Sequence, residues 1–584
     1  MPALLPFAQT RFRSPGFSRL AAAIATALVA APAVAGGDVR HVSAIRYAEE
    51  RGGHVSSRLE LRPPSTAAHT AAQSRGNVPA ARAVTRAVTS CLDDGGPGTL
   101  RSVVEAAGEG DTIDLGGLAC GSIVLQHGMI EVNWAIDSLV IQGPGRDALT
   151  IDGAGQSAVF YYSGTGTLDL RDLSIAHALA VDAWGACVCA SGGNVNLDRV
   201  TLSSCTSHQV TDQRGSVEGG AVFAFGNVSV RDSEIRDSTA SSELPGAVPD
   251  GSGGSIVINP VLGGAVATII GDITIQRSRI SGNSAVALAG GGVGEVRGGA
   301  LHTRAGNITV SDSVLAGNRV SSAFEDLGGY PSFAVGGSLY SNFGQLTIKN
   351  STISDNKVES SANIYWDRGG GIAFSGTAAR IENTTIENNR ASGDGGGLHH
   401  QGHSLQLINS TISGNYAARG AGGLYDVSPT SLDHVTIAFN GSGGNTGGAV
   451  LLHSGEIFSS IVADNTAGGG KAADLQTGAD AAVEGAYNLI GDAGSTPLPA
   501  ETLHSDPQLL PLAENGGGTR THALTAGSPA VDAGSNELNL DYDQRGNGYA
   551  RVSGSAPDIG AFEVQQGEAI FSDGFETGIA IPRH

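Results

Sequence analysis

Four side chains have the types and spacing for acid–base chemistry on a polymer. In the repeats set out below, the outward position after the second strand reads Arg231, Gln276, Ser311, Lys349, Glu382, Ile408, Asp433 and Ser459. Glu382 and Asp433 fall two coils apart, about 9.6 Å if coils stack at the strand spacing of a sheet. Glycoside hydrolysis uses two carboxyl groups about 5–5.5 Å apart for retention or about 6.5–9.5 Å apart for inversion. The pair therefore sits at the margin of the inverting arrangement. Arg380 and Lys349 flank Glu382 as the cations that could face an acidic substrate. The competing reading is that charges on such a surface are simply solvated.

A second column carries binding rather than bond-breaking chemistry. The residue after the inward apolar side chain that follows each Gly-Gly pair reads Phe223, Ala267, His302, Tyr340, Ala373, His399, Tyr425 and Leu451. Rings on successive rungs make a flat, partly apolar strip, and sugar rings offer an apolar face to such strips. A glycan-contacting groove along Phe223, His302, Tyr340, His399 and Tyr425 is the expectation. The alternative is cross-strand stacking that steadies the solenoid or lies under an inserted loop. No nucleophile elbow, phosphate loop or zinc pattern occurs. Asp394-Gly-Gly-Gly397 reads as a turn into a strand.

These positions are set by a repeat. Its clearest copies are Asn350-Ser-Thr-Ile-Ser-Asp-Asn356, Asn383-Thr-Thr-Ile-Glu-Asn-Asn389 and Asn409-Ser-Thr-Ile-Ser-Gly-Asn415. Each is followed by a Gly-Gly pair and an apolar residue, as at Gly370-Gly371-Ile372, Gly396-Gly397-Leu398 and Gly422-Gly423-Leu424. The apolar residue three before the Asn recurs at Ile175, Leu202, Ile235, Ile280, Leu315, Ile353, Ile386, Ile412, Ile437 and Val462, with spacings of 27, 33, 45, 35, 38, 33, 26, 25 and 25. A base period near 25 suits one solenoid coil of three short strands and three turns. It is too short for a propeller blade, and the consensus of a leucine-rich repeat is missing. The fold expected is all-β, a right-handed parallel β-helix. The Asn column at 283, 318, 356, 389, 415, 440 and 465 reads as a structural ladder at a left-handed turn. Insertions at 206–218, 239–262, 284–297, 319–335 and 357–369 must emerge along one edge, where loops carry specificity.

The chain has 584 residues, 87 of them Gly, with 5 % aromatics and a net charge of −22. Tight turns need Gly, and the acid excess argues against a nucleic-acid partner. Residues 1–35 read as a signal peptide: Arg11, Arg13 and Arg19 open it, Leu20–Val29 is its apolar core, and Ala33-Val-Ala35 is a small-residue cleavage site. Export of a monomer without a transmembrane segment follows, to the exterior or outer surface of a bacterium. Export permits disulfides. Cys91 and Cys120 flank a helix expected over Thr99–Ala107 and should pair; Cys205 can pair with Cys187 or Cys189, which on a strand share a face. Residues 36–88 read as a disordered linker or pro-segment, 89–110 as an N-terminal cap, 111–470 as the β-helix, 471–566 as a C-terminal cap in which Asp543, Arg545 and Asp558 form ion pairs closing the last coil, and 567–584 as a tail. The tail motif Ile570-Phe-Ser-Asp-Gly-Phe-Glu-Thr-Gly578 suggests no role.

Gly-Gly-Ala-Val at 219–222, 263–266 and 447–450, taken with Phe439-Asn440 and the Ile-x-x-Asn pattern, resembles the repeats of polymorphic outer membrane proteins and the wider parallel β-helix group. Tyr487-Asn-Leu-Ile-Gly491, Asp506-Pro-Gln-Leu509, Ala530-Val-Asp-Ala-Gly534, Asp543-Gln-Arg-Gly546 and Asp558-Ile-Gly-Ala-Phe-Glu563 resemble the choice-of-anchor Q domain of secreted bacterial β-helix proteins. The resemblance spans about residues 90–565. It implies a secreted or surface protein of unassigned activity, binding or adhering to a glycan or cell surface. The group also includes polysaccharide lyases and glycosidases. The Asn-Thr-Asp motif expected of a polygalacturonase-like member is absent. A pectate-type lyase would need clustered acidic calcium ligands facing a basic residue, of which Arg380, Lys349 and Glu382 are a thin version. No cofactor is expected, calcium entering only for a lyase.

Overall fold

The computed structural model describes residues 83–567 apart from 211–215, 244–259, 289–294, 323–332, 361–366, 445–446, 452, 469–473 and 480. The expected signal peptide and the 570–578 motif lie outside the described residues.

The chain winds as a parallel β-helix. One regular coil runs through Leu398–His400, Leu405–Ile408, Thr411–Ser413 and Tyr416–Ala417. Each of these strands pairs in parallel with its counterpart one coil on, so three sheets run the length of the solenoid and a fourth joins them from Leu179 onward, here called sheets 1 to 4 in that order. All interstrand pairs between named strands are parallel, and such crossovers are right-handed as a rule. The coil thus has four strands, where its length suggested three; the fourth begins just after the ladder asparagine, in a polar run without alternation. Sheet 2 extends furthest, with 14 strands.

Inward positions are filled by stacked like residues. Leu346 and Ile348, Ile308 and Val310, and Leu405 and Leu407 are all buried, forming continuous columns of one core. Each buried Leu or Ile removes an apolar side chain from water, stabilising by about 1.5–3 kcal/mol. The Gly-Gly pairs are required by this stacking. Gly263 holds φ +65°, and a Cβ on Gly264 would lie 2.0 Å from the carbonyl oxygen of Gly299 on the next rung. Only Gly admits both.

The asparagine column is a buried ladder. Asn356 donates from its backbone and its Nδ2 to Asn389 Oδ1 at 3.0 and 2.9 Å, and Asn389 does the same to Asn415. The chain of bonds runs from Asn283 to Asn465 and ends on Asp474. The left-handed residue is the one before each ladder asparagine, such as Asp355, Asn388, Phe439 and Asp464, and not the asparagine itself. A second ladder, unseen in the sequence, joins Ser233, Ser278, Ser313, Ser351, Thr384 and Ser410 through hydroxyl oxygens that accept from the backbone N–H of the preceding coil.

At the N-terminal end, Thr85–Ala87 already forms a strand against Thr112–Asp114, within the stretch expected to be disordered. The helix is Leu100–Glu105, with Thr99 as N-cap and Leu100 and Val104 buried. Cys91 pairs with Cys120 and Cys187 with Cys205. Cys187 and Cys189 do not share a face: Cys187 sits in the turn before strand Val188–Ala190 and joins the main core, whereas Cys189 packs with Phe223 on the outer side. Among the described residues no helix is long and apolar enough to cross a membrane.

The start of the C-terminal segment sits on the last coil, where Leu503 bridges Leu489 and Leu498 packs against the core; the rest then runs back along the side of the solenoid. Residues 519–561 bond to sheet 3 and its corners: Thr385 Oγ1 donates to Arg520 O, Thr411 Oγ1 to Gln544 Oε1, Asn409 Nδ2 to Tyr542 O, and Ala561 N to Thr436 Oγ1. This strap contains the Arg545–Asp543 pair. Asp558 instead accepts backbone N–H groups of Asp532 and Val564, and a further buried pair joins Arg551 to Glu563.

Candidate functional site

Glu382 and Asp433 do share the outer side of sheet 2, with Ile408 on the rung between them. Each is already engaged. Glu382 is bonded by Lys349 at 3.3 Å and Arg380 at 3.2 Å, and Arg380 also donates to Gln406. Asp433 is buried, accepts from Ser431 Oγ at 2.8 Å, and is held above the usual carboxylate range by burial. The rung after Asp433 is Phe458 and not Ser459, which occupies a left-handed corner. One carboxylate between two cations does not form a calcium site, and among the described residues no three His, Cys, Asp or Glu side chains gather to hold a metal.

The ring column is in register as the spacing required: Cys189, Phe223, Ala267, His302, Tyr340, Ala373, His399 and Tyr425 pair in succession along sheet 1. The residue beyond Tyr425 is Val450, one before the Leu451 read from the sequence, and Leu451 points into the core. His302 and Tyr340 stack at 5.8 Å and 4°, His399 and Tyr425 at 5.3 Å and 9°. The strip is not an open groove. Phe223, His302 and His399 are 2 %, 1 % and 3 % exposed, and Tyr340 is 9 %.

What covers it comes from the insertions. They start with the sheet-4 strands and end in Val217–Glu218, Val261–Leu262, Glu295–Arg297 and Phe333–Val335, which pair into a fifth, four-stranded sheet. Single bridges extend its line to Arg368 and Asp394. Glu218, Leu262, Arg297, Val335, Arg368 and Asp394 thus form a wall in register beside the ring column. Arg297 lies 5.0 Å over the Tyr340 ring, Val335 packs on Tyr340, and Trp184 meets Phe223 at 4.7 Å. Arg304 reaches back two coils to buried Glu218 at 2.5 Å. Burial, with Arg297 and Arg304, holds His302 neutral; burial, with Arg368 and His400, does the same for His399. His400 faces inward and meets Asp426 at 3.0 Å with both side chains 0 % exposed, so this His–Asp pair is closed to any substrate.

The wall ends where the insertions stop, and the strip surfaces there. Tyr425 is half-buried above His399. Around it Arg368 donates to the exposed Gln401 at 2.8 Å, and Arg419 meets Asp394 at 3.2 Å. Asp394 is raised by burial against the pull of Arg419 and Arg368, and burial and Asp394 raise Tyr425. Behind them Asp367, buried, accepts from Ser392 Oγ at 2.6 Å and Ala334 N at 3.0 Å, and burial pushes it up to about 6. A ring face bordered by two guanidinium groups and an amide can hold a sugar ring and its oxygens. Asp367, Arg368, Asp394 and Arg419 lie in aperiodic stretches that carry no sequence signal; the sheet-5 register sets Arg368 beside Asp394, Arg419 joins through its ion pair with Asp394, and Asp367 through its bond from Ala334 N.

The Asp367 shift has a measurable sign. Its folded pKa lies above the unfolded 3.8, so the fold binds its proton more tightly; the stability this confers is present below about pH 4 and lost as pH rises through about 6. The span of about two units corresponds to about 3 kcal/mol at most. Asp367→Asn keeps an acceptor for Ala334 N and should be more stable than the parent at pH 8 but not at pH 4, measured by urea denaturation. Equal differences at both pH values would contradict the assignment.

No known family's sequence profile matches the chain, and no curated protein sequence does. Among solved structures, the crystal structure of pectate lyase Pel9A aligns over 82 % of this chain and 97 % of its own, at 14 % identity and a TM-score of 0.31. A superposition at that level transfers neither residue roles nor activity.

Proposed function

We propose that this is an exported β-helix protein that binds a polysaccharide or surface glycan at the open end of the ring column. The observation that carries the reading is Tyr425, whose half-exposed ring stacks on His399 and lies in the field of Arg368 and Arg419, Arg368 in turn holding the exposed Gln401. The covered part of the column, from Phe223 to His399, serves as a rigid support for that ring. The Arg-led apolar segment before residue 36 and the two disulfides support export. The tail motifs of the choice-of-anchor Q type agree with a surface protein.

A polysaccharide lyase or glycosidase is the second reading. What favours it is Asp394, a carboxyl group raised by burial beside Tyr425 and Arg419. Incubation with acidic and neutral polysaccharides, with and without calcium, followed for reducing ends and unsaturated product, separates the two. The binding reading expects retention on a glycan without product. Tyr425→Ala should then weaken retention at least about tenfold, about 1.4 kcal/mol, while leaving the melting temperature nearly unchanged. Retention equal to that of the parent would remove Tyr425 from the site.

A further inference from the structure

On sheet 4, Arg319, Lys357 and Arg390 occupy one column on three successive rungs, preceded by Ser284 and followed by Tyr416. Side-chain exposures of 53 % for Arg319 and 43 % for Lys357 place them in solvent, and Arg390 is exposed as well. Like charges facing each other on neighbouring strands destabilise a sheet. Several cations elsewhere on this surface meet carboxylates, Arg199 with Asp172 and Asp198, Arg277 with Asp232, and Lys349 and Arg380 sharing Glu382, but none of these groups stacks three cations on successive rungs. In this column a single carboxylate, Glu359, serves both Arg319 and Lys357. Among the described residues Arg390 has no carboxylate partner, and its guanidinium lies 4.4 Å over the Tyr416 ring. Among the described residues the column thus holds three cations and one carboxylate, on a chain of net charge −22. The same coils lead directly, through Ala391 to Asp394 and Ala417 to Arg419, to the wall around Tyr425.

We infer that this column is a docking face for an acidic polysaccharide lying along the solenoid axis, with about one carboxylate per rung. This deepens the glycan reading and rests on it. The rungs advance about 4.8 Å, close to the length of one sugar in an extended chain. A uronic-acid polymer carries one carboxylate per sugar, so a chain lying along the axis keeps carboxylates within reach of the three long cationic side chains. Duplex nucleic acid carries a charge about every 1.7 Å, too dense for three isolated cations on an acidic protein. The last cation stacks on Tyr416, whose neighbour on the next rung is Gly441, without a side chain, so the far side of the ring is suited to a sugar.

The test measures binding of the full chain to polygalacturonate, to neutral dextran and to DNA. Polygalacturonate should bind, and more weakly by tenfold or more when salt rises from about 50 to about 200 mM. The triple variant Arg319→Gln/Lys357→Gln/Arg390→Gln should bind polygalacturonate at least tenfold more weakly, and Arg390→Gln alone about threefold, with unchanged circular dichroism and melting. A control, Arg236→Gln/Arg279→Gln on sheet 3, should bind as the parent does. Wild-type affinity in the triple variant, no binding of polygalacturonate by the parent, or equal binding of DNA would overturn the assignment. Tyr425→Ala separates the two readings: loss with that variant but not with the triple sinks the docking face, and loss with the triple but not with Tyr425→Ala sinks the Tyr425 site while the face stands.

Discussion

An Arg551→Met variant should lose about 3–5 kcal/mol of stability, the usual cost of stripping one partner from a buried ion pair. Arg551 is 0 % exposed and spends its guanidinium on Glu563 Oε2 at 2.9 Å, on the carbonyls of Asp558, Gly560 and Phe562, and on Asn409 Oδ1. Glu563 in turn accepts from Asp558 N and Ser553 N. Methionine fills much of the volume but leaves a buried carboxyl group and three carbonyls to the remaining partners. Burial already pushes Glu563 up to about 7, held back by Arg551, so without the arginine it would take up a proton near neutrality. The loss should accordingly be smaller at pH 5 than at pH 8, and Arg551→Met/Glu563→Gln should recover part of it. Limited proteolysis beyond residue 506, with urea denaturation, reads the result. A cost under about 1 kcal/mol would show that the strap does not depend on this pair.

Breaking the asparagine ladder should cost as much. Asn389→Leu removes the acceptor of Asn356 N and Nδ2 and the donor to Ile353 O, each in a dry position. The Asn389 Nδ2 bond to Asn415 Oδ1 is lost as well; an unmade buried hydrogen bond costs about 1–3 kcal/mol, so about 4 kcal/mol or more is expected for the four together. Because a solenoid's stability is nearly a sum of rungs and interfaces, the damage should concentrate there: amide exchange should accelerate first at Asn356 and its coil. Uniform exchange along the chain, or a cost below about 1 kcal/mol, would refute the ladder's role.

The ladder and the solenoid were legible because both are periodic. Ile353, Ile386 and Ile412 each precede a buried asparagine by three, and stacking follows from spacing alone. The ring column was legible for the same reason, down to the pairing of His399 with Tyr425. Its exposure was not. Whether His302 meets solvent depends on Arg297 and Val335, which belong to insertions of unequal length with no shared pattern. Asp367 and Asp394 escaped notice because nothing local relates them. The two-residue spacing of Cys187 and Cys189 misled, since it assumed a strand where the chain is still turning. That the cap doubles back as a strap along sheet 3 is not legible, because the sequence states that the repeat has ended, not where the chain then goes.

The strap also acts as a ruler. A free solenoid can gain or lose one coil with little effect on the rest, since each rung offers the next the same bonds. The strap touches Thr385 through Arg520, Ser459 through Ser535, Thr411 through Gln544 and Thr436 through Ala561, so four consecutive rungs are measured against one segment of fixed length. Duplicating a coil inside that span would carry Ser459 about 4.8 Å beyond Ser535, while duplication before Thr385 would leave the match intact. The molecule can therefore change its reach only at its N-terminal side, and the rungs around Tyr425 stay constant in number whatever length evolves ahead of them.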